Sequence, residues 1–217
     1  PSIDLDDLDE ILKLALVEKP NRVVITGDLI DKIAWLPQVC ERLTTFAKQI
    51  PDGVDFILGN HEYHHDVNKV LDELKHNTPM NILVNSNIQI MGGKQPVYIA
   101  GVAYDNDREK EKREAMIDKA LSGIPDYAFV ILLAHHPEFF EEAIERKIPL
   151  TLSGHTHGGQ IVFMGMPLVP TGTPYTKGRY VEEQSVCYVN NGSGHWFPIR
   201  INCPREITVI TFFDGVA

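Results

Sequence analysis

The feature that most constrains this chain is a recurrence: short aliphatic runs that each stop abruptly at a polar cluster. Val23-Val24-Ile25-Thr26 stops at Gly27-Asp28-Leu29-Ile30-Asp31, and Asp55-Phe56-Ile57-Leu58 stops at Gly59-Asn60-His61-Glu62. Phe129-Val130-Ile131-Leu132-Leu133 leads to His135-His136-Pro137-Glu138, and Leu150-Thr151-Leu152 leads to Gly154-His155-Thr156-His157. Short runs that are apolar throughout read as strands covered on both faces. In open α/β sheets, ligands collect beyond the carboxyl ends of the strands. Four polar clusters at four strand ends are therefore expected to converge on one site.

Helical spacing fills the intervals. Leu5, Leu8, Ile11, Leu12, Ala15 and Leu16 recur on one face of a first helix that ends at Pro20-Asn21. Asp4, Asp6 and Asp7 open it and read as cap and dipole complement. Further helices are expected over 35–49, over 65–76, near Glu109–Leu121 and after His135-His136-Pro137. Short strands are expected at Ile82–Val84, Ile88–Met91 and Val97–Ala100. The tail should be strand-rich at Gln160–Phe163, Val186–Val189 and Ile207–Phe212. The whole reads as one α/β domain over residues 1–217, with mixed sheets covered by helices and a late antiparallel part.

Composition narrows the function classes. The chain has 217 residues and a net charge of -10 from 20 basic and 30 acidic side chains. An acidic surface repels nucleic-acid backbones, and no Lys/Arg run tracks phosphates, so a nucleic-acid partner is not expected. Cys40, Cys187 and Cys203 are too sparse for a disulfide framework or a cysteine-rich zinc site. No stretch of 18 apolar residues and no signal-peptide pattern is found. Localisation stays open.

The residue types at the strand ends suit a divalent transition metal, with imidazole nitrogen beside carboxylate and amide oxygen. Each cluster alone carries little weight, because a Gly-Asp after a strand is commonly a turn and His-Pro is commonplace. All four together, in order and at strand ends, are far more specific than any one of them.

These motifs resemble those of the calcineurin-like metallophosphoesterases. The family pattern runs D-x-H, G-D-x-x-D/R, G-N-H-D/E, a His after an apolar strand, and G-H-x-H. Residues 27–31, 59–62, 135 and 154–157 match the last four parts. The run from Gly154 to Ile161 and the tail Pro198-Ile199-Arg200-Ile201-Asn202-Cys203-Pro204 are similar to a bacterial branch. That branch includes membrane-anchored or exported enzymes, some of which cleave UDP-diacylglucosamine. The resemblance implies a four-layer α-β-β-α sandwich of two mixed sheets and a site for two divalent cations, manganese, zinc or iron. It implies that Asp28 bridges the metals, that Asn60, His135 and His155 complete the second metal site, and that His157 serves the first. His61 would stabilise charge or protonate the leaving group, oriented by Asp31. The implied activity is hydrolysis of a phosphodiester, monoester or pyrophosphate bond by a metal-bridging hydroxide. The implied substrate is a small-molecule or lipid-linked phosphoester.

The D-x-H part has no counterpart here. On the family pattern the chain reads as N-terminally incomplete, lacking a first strand and two ligands of the first metal, with any membrane anchor lying upstream. At most one well-ordered metal and little turnover are then expected of it. A non-catalytic metal-binding scaffold or regulator is the competing reading, weighed against by the presence of Asp31 and His61, neither of which is a metal ligand.

Other residues draw weaker expectations. His136 is a candidate substrate contact beside His135, and Arg200 is a candidate phosphate partner, against a structural ion pair. His64 and His65 read as a solvated helix start. His195-Trp196 reads as a turn with a packed Trp, or as a substrate rim. The charge run Asp105–Arg113 reads as a solvated loop and helix face. Gly192-Ser193-Gly194 lacks the outer glycine of a nucleophile elbow.

Overall fold

The structure, a computed structural model, describes residues 3–90, 95–104 and 109–213. Helix α1 (Leu5–Val17) is followed by β1 (Val23–Ile25), a 3-10 turn (Ile33–Trp35), α2 (Leu36–Ala47) and β2 (Val54–Phe56). A single helical turn, α3 (Asn60–Tyr63), precedes α4 (Val67–Asn77) and β3 (Asn81–Ile82). Then come β4 (Ser86–Ile90), β5 (Val97–Gly101), α5 (Lys110–Leu121), β6 (Phe129–Leu133), α6 (Phe139–Glu145) and β7 (Leu150–Ser153). The last part holds a 3-10 turn (His157–Gly159), a hairpin of β8 (Val162–Phe163) and β9 (Met166–Pro167), and the pair β10 (Gly178–Glu182) and β11 (Ser185–Val189). The expected strand Ile88–Met91 is described only to Ile90, and part of the Asp105–Arg113 run also lies outside the described residues.

Two sheets stack between helices. The smaller has the order β1-β2-β3 and is parallel throughout, so it departs from the expectation that both sheets are mixed. The larger has the order β10-β11-β7-β6-β5-β4, parallel at its centre with antiparallel strands at both edges. Side chains alternate between layers with the period of two that a strand imposes. Val23, Ile25 and Phe56 face a core shared with α1, α2 and α4, whereas Val24 and Ile57 face the other sheet. Ile99, Ile131 and Leu133 meet them there, while Ala100 and Leu132 turn outward to α5 and α6. This alternation makes the α-β-β-α order, and it explains why the strands are apolar on both faces.

Local chemistry accounts for several boundaries. Asp4 caps α1, accepting from the Asp7 amide at 2.8 Å while its own N–H donates to the Asp7 side chain at 3.3 Å. The expected strand Ile207–Phe212 does not form. Strand β11 is already flanked by β10 and β7, so no edge is vacant there. The tail is instead tied by side chains: Glu206 accepts from Tyr188 and from the Asn191 amide, and Asn190 donates to Thr208. Arg113 is not on a solvated face. It is 9% exposed and forms a two-pronged bond to Glu142, at 2.9 and 2.7 Å, which is itself fully buried.

Candidate metal centre

The parallel pairing of β1 with β2 and of β6 with β7 sends the following loops toward the same end of the sandwich. The two sheets are stitched together there. His135 Nδ1, beyond β6 of the larger sheet, lies 2.6 Å from the carbonyl oxygen of Thr26, beyond β1 of the smaller one, while within the larger sheet the Gly154 amide donates to the His135 carbonyl at 3.2 Å. Only a protonated Nδ1 can donate to the Thr26 oxygen, so Nε2 is the ring nitrogen left to face the site. The loops after β1 and β7 pass through left-handed residues: Asp28, His155 and His157 have φ of 59°, 68° and 50°. Such conformations are uncommon for residues with a side chain and cluster at functional loops.

Four donor atoms meet within this space. His135 Nε2 lies 3.1 Å from Asn60 Oδ1 and 3.2 Å from Asp28 Oδ2. His155 Nδ1 lies 3.0 Å from the same Asn60 oxygen and 3.2 Å from His135 Nε2. A divalent metal with bonds of about 2.1 Å in a tetrahedral shell spaces its ligands by roughly 3.4 Å. The mutual separations of the Asn60, His135 and His155 atoms are therefore those of a coordination shell, with Asp28 beside it at His135, and the set of one carboxylate, one amide oxygen and two imidazoles fits zinc, iron or manganese. Burial raises the Asp28 carboxyl, but the His135 and His61 imidazoles outweigh it and hold it below the usual carboxylate range. Burial likewise pulls His135 down, but Asp28, the Thr26 carbonyl and Glu62 together raise it above the ordinary imidazole value. Positive charge is thus stabilised between them.

His61 sits beside this group. Its amide donates to Asp28 Oδ1 at 3.0 Å, its Nδ1 lies 2.9 Å from Asp31 Oδ1, and its Nε2 lies 3.9 Å from Asp28 Oδ2. Burial lowers its affinity for a proton, and the two aspartates recover only part of that. His65 contributes as well: its Nε2 lies 3.1 Å from the Asp31 carbonyl, so it is not merely solvated.

Two supports were not legible as such in the sequence. Glu62 is fully buried, and its carboxylate accepts four backbone N–H groups, from Asp28 (3.0 Å), Leu29 (2.7 Å), Ile30 (2.8 Å) and Gly59 (2.7 Å). One side chain therefore clamps the loop of Asp28 to the loop of Asn60 and His61. Burial and the Asp28 carboxylate push Glu62 up to about 7 against the pull of those donors. The sequence marked it as the acidic end of Gly59-Asn60-His61-Glu62 and placed it three residues into a helical turn, where a Glu can reach back to the preceding backbone. Gln160, also fully buried, donates to the Phe197 and Ile199 carbonyls and accepts from the Trp196 amide, fixing the late loop. Partners nearly forty residues away leave no local sequence trace. Gly27 and Gly59 permit the close packing: a Cβ on Gly27 would lie 2.6 Å from His135 Nδ1, and one on Gly59 would lie 2.7 Å from His135 Cε1.

The remaining candidates are placed differently. His157 is buried but directs Nδ1 at the Arg200 guanidinium, 3.3 Å away, and its ring lies 5.6 Å from that of Trp196. Burial, with Arg200 nearby, pushes His157 down to about 3, so it is neutral at physiological pH. Arg200 is not poised for a phosphate. Its donors go to the carbonyls of His157, Asn191, Gly192, Gly194 and Cys203, which makes it a staple for residues 191–203. His136 is 4% exposed, with its ring 3.9 Å from that of His155 and edge-on to Tyr104, which leaves a substrate little of it to touch. Its nitrogens do fall within one cluster with those of His135 and His155. Trp196 is 38% exposed at the rim and not packed away.

Comparison with known proteins agrees with this geometry. The calcineurin-like phosphoesterase family model matches residues 3–159. An uncharacterized metallophosphoesterase of Campylobacter jejuni is 36% identical over 211 residues, covering 94% of this chain and 53% of that protein. The metallophosphoesterase YkuE of Bacillus subtilis, likewise uncharacterized, is 31% identical, covering 95% and 73%. A zebrafish transmembrane protein with a metallophosphoesterase domain is 30% identical, covering 97% and 50%. The chain thus spans about half the length of several of these relatives. Among solved structures, NAD nucleotidase of Haemophilus influenzae superposes with a TM-score of 0.51 at 17% identity, over 83% of this chain and 42% of that one. SoxB of Thermus thermophilus, a sulfate thiohydrolase, gives 0.50 at 15% identity, over 87% and 38%. The likeness to these two is one of fold. With the family model spanning well over half of its residues, this chain belongs to the calcineurin-like phosphoesterase family.

Proposed function

We propose that this chain is a metal-dependent phosphoester hydrolase. The observation that carries the reading is the convergence of Asn60, His135 and His155, whose donor atoms stand about one coordination shell apart, with the Asp28 carboxylate 3.2 Å from His135 Nε2. These four would hold a divalent cation, with His157 two residues beyond His155 in the same loop. When bound, such an ion acidifies water and neutralises phosphate oxygens. The protein's own residues do the rest. Asp31 accepts from His61 Nδ1–H and so presents His61 Nε2 as the atom that exchanges a proton with the leaving oxygen. Glu62 keeps Asp28 and Asn60 in register. Names of the relatives support hydrolysis of phosphoesters in general. A small-molecule or lipid-linked phosphoester is the substrate class we favour, and the acidic surface disfavours nucleic acid.

The test is hydrolysis of a chromogenic phosphodiester and monoester with manganese or zinc added. Asn60→Ala should lose both metal uptake and turnover. His61→Ala should keep the metal and lose about 10²- to 10⁴-fold in turnover. Metal uptake with no turnover of either ester would favour a binding scaffold and defeat the hydrolase reading.

A further inference from the structure

Residues 161–168 and 199–201 build a small ribbon next to the candidate site. Its three segments are β8, β9 and the stretch around Ile201, joined by the Ile161–Ile201 bridge, the Phe163–Met166 pair and the Leu168 amide bond to the Ile161 carbonyl. Burial alternates along each segment. Val162 is buried on the inner face and Pro167 packs against Gly159, two residues after His157. The outer face should be polar in a sheet with one solvated side. Here it carries Phe163, Met166, Leu168, Ile199 and Ile201, which with Met164 at the hairpin tip are 48–84% exposed. Met164 and Gly165 both have positive φ, as a tight two-residue hairpin requires, so the tip projects as a convex point. A contiguous apolar face of this kind marks an interaction surface.

Charge indicates the partner. The chain carries -10 overall, yet residues 148–181 contain no acidic side chain and two basic ones, Lys177 and Arg179. Trp196 stands half-exposed at the rim, the position where tryptophan favours a membrane–water boundary. We propose that the β8–β9 hairpin and the Ile199–Ile201 edge dock on an anionic lipid surface, inserting Phe163, Met164 and Met166 between headgroups. A projecting apolar tip of Phe and Met within a stretch carrying two basic and no acidic side chains suits a bilayer interface, which needs both apolar area and attraction to anionic headgroups. Docking there would hold the loops of His157 and Trp196 close to the membrane. The proposal stands apart from the hydrolase reading, because vesicle binding is measured without metal or substrate.

Co-sedimentation of the chain with vesicles tests it, using phosphatidylcholine alone and with phosphatidylglycerol. Binding is expected with phosphatidylglycerol and should weaken with salt. The triple variant Phe163→Ser, Met164→Ser, Met166→Ser should lose at least about tenfold in partitioning. Met164→Cys carrying an environment-sensitive dye provides a second measurement at a tip site with no packing role, since the three native cysteines are buried. Its emission should shift blue on vesicles. Wild-type chain left in the supernatant with both lipids, unchanged binding by the triple variant, or an unshifted dye would each overturn the proposal. So would a concentration-dependent dimer without vesicle binding, which would assign the face to a second copy of the chain.

Discussion

Replacing Glu62 with Gln tests whether one buried carboxylate holds the candidate metal centre together. Oε1 accepts from the Leu29 and Ile30 amides, and Oε2 accepts from those of Asp28 and Gly59. A glutamine keeps one oxygen and places an NH₂ group against two N–H donors. Two buried donors are then left unpaired, at about 1–3 kcal/mol each. The surviving pair loses its charge-assisted character, which costs roughly another 1 kcal/mol. Destabilisation of about 3–7 kcal/mol follows, a large part of the stability of an ordinary domain. The effect on metal should be separate and specific. The freed amides belong to the residues that aim Asp28 and Asn60, and loss of such support typically lowers metal affinity 10- to 100-fold. Urea unfolding and calorimetric titration with manganese, both at pH 8, read the two effects. That pH lies above the value of about 7 to which Glu62 is pushed, so the carboxylate is the resident form in the wild type. A variant within about 1 kcal/mol of wild type that binds manganese equally well would refute the clamp.

Other expectations are more local. Gly59→Ala should abolish metal uptake while leaving most secondary structure, because the new methyl collides with Asp28 and His135; circular dichroism with metal titration checks it. Arg113→Ala should cost about 3–5 kcal/mol by leaving the buried Glu142 charge unpaired, and Arg113→Met with Glu142→Leu should recover much of it in thermal melts. Native thiols should resist a disulfide reagent at pH 8, since all three are buried, and rapid labelling of the folded chain would contradict this packing. Burial raises the Cys187 thiol to about 12 from an ordinary 9.0, so its contribution to stability should be present below pH 9 and fade as the pH rises toward 12. Cys187→Ala should flatten that alkaline limb.

Much of the fold was legible because its signals are local. Strands buried on both faces announce themselves as apolar runs, and Asp4 with Asp7 spells a helix start. The polar clusters at the strand ends marked Asp28, Asn60, His61, His135 and His155 for the same reason: each sits where a parallel strand must stop. The sequence by itself thus determined the layers, the residue types at the site and their chemistry. Only the tertiary structure decided what depends on partners distant in the chain. Glu62 became a clamp because four amides from two loops converge on it. Arg200 went to backbone carbonyls because residues 191–203 curl around its guanidinium. Ile207–Phe212 stayed out of the sheet because β11 already had neighbours on both edges. Strand propensity is written residue by residue, but a vacant sheet edge and an unpaired carbonyl exist only once the chain has folded.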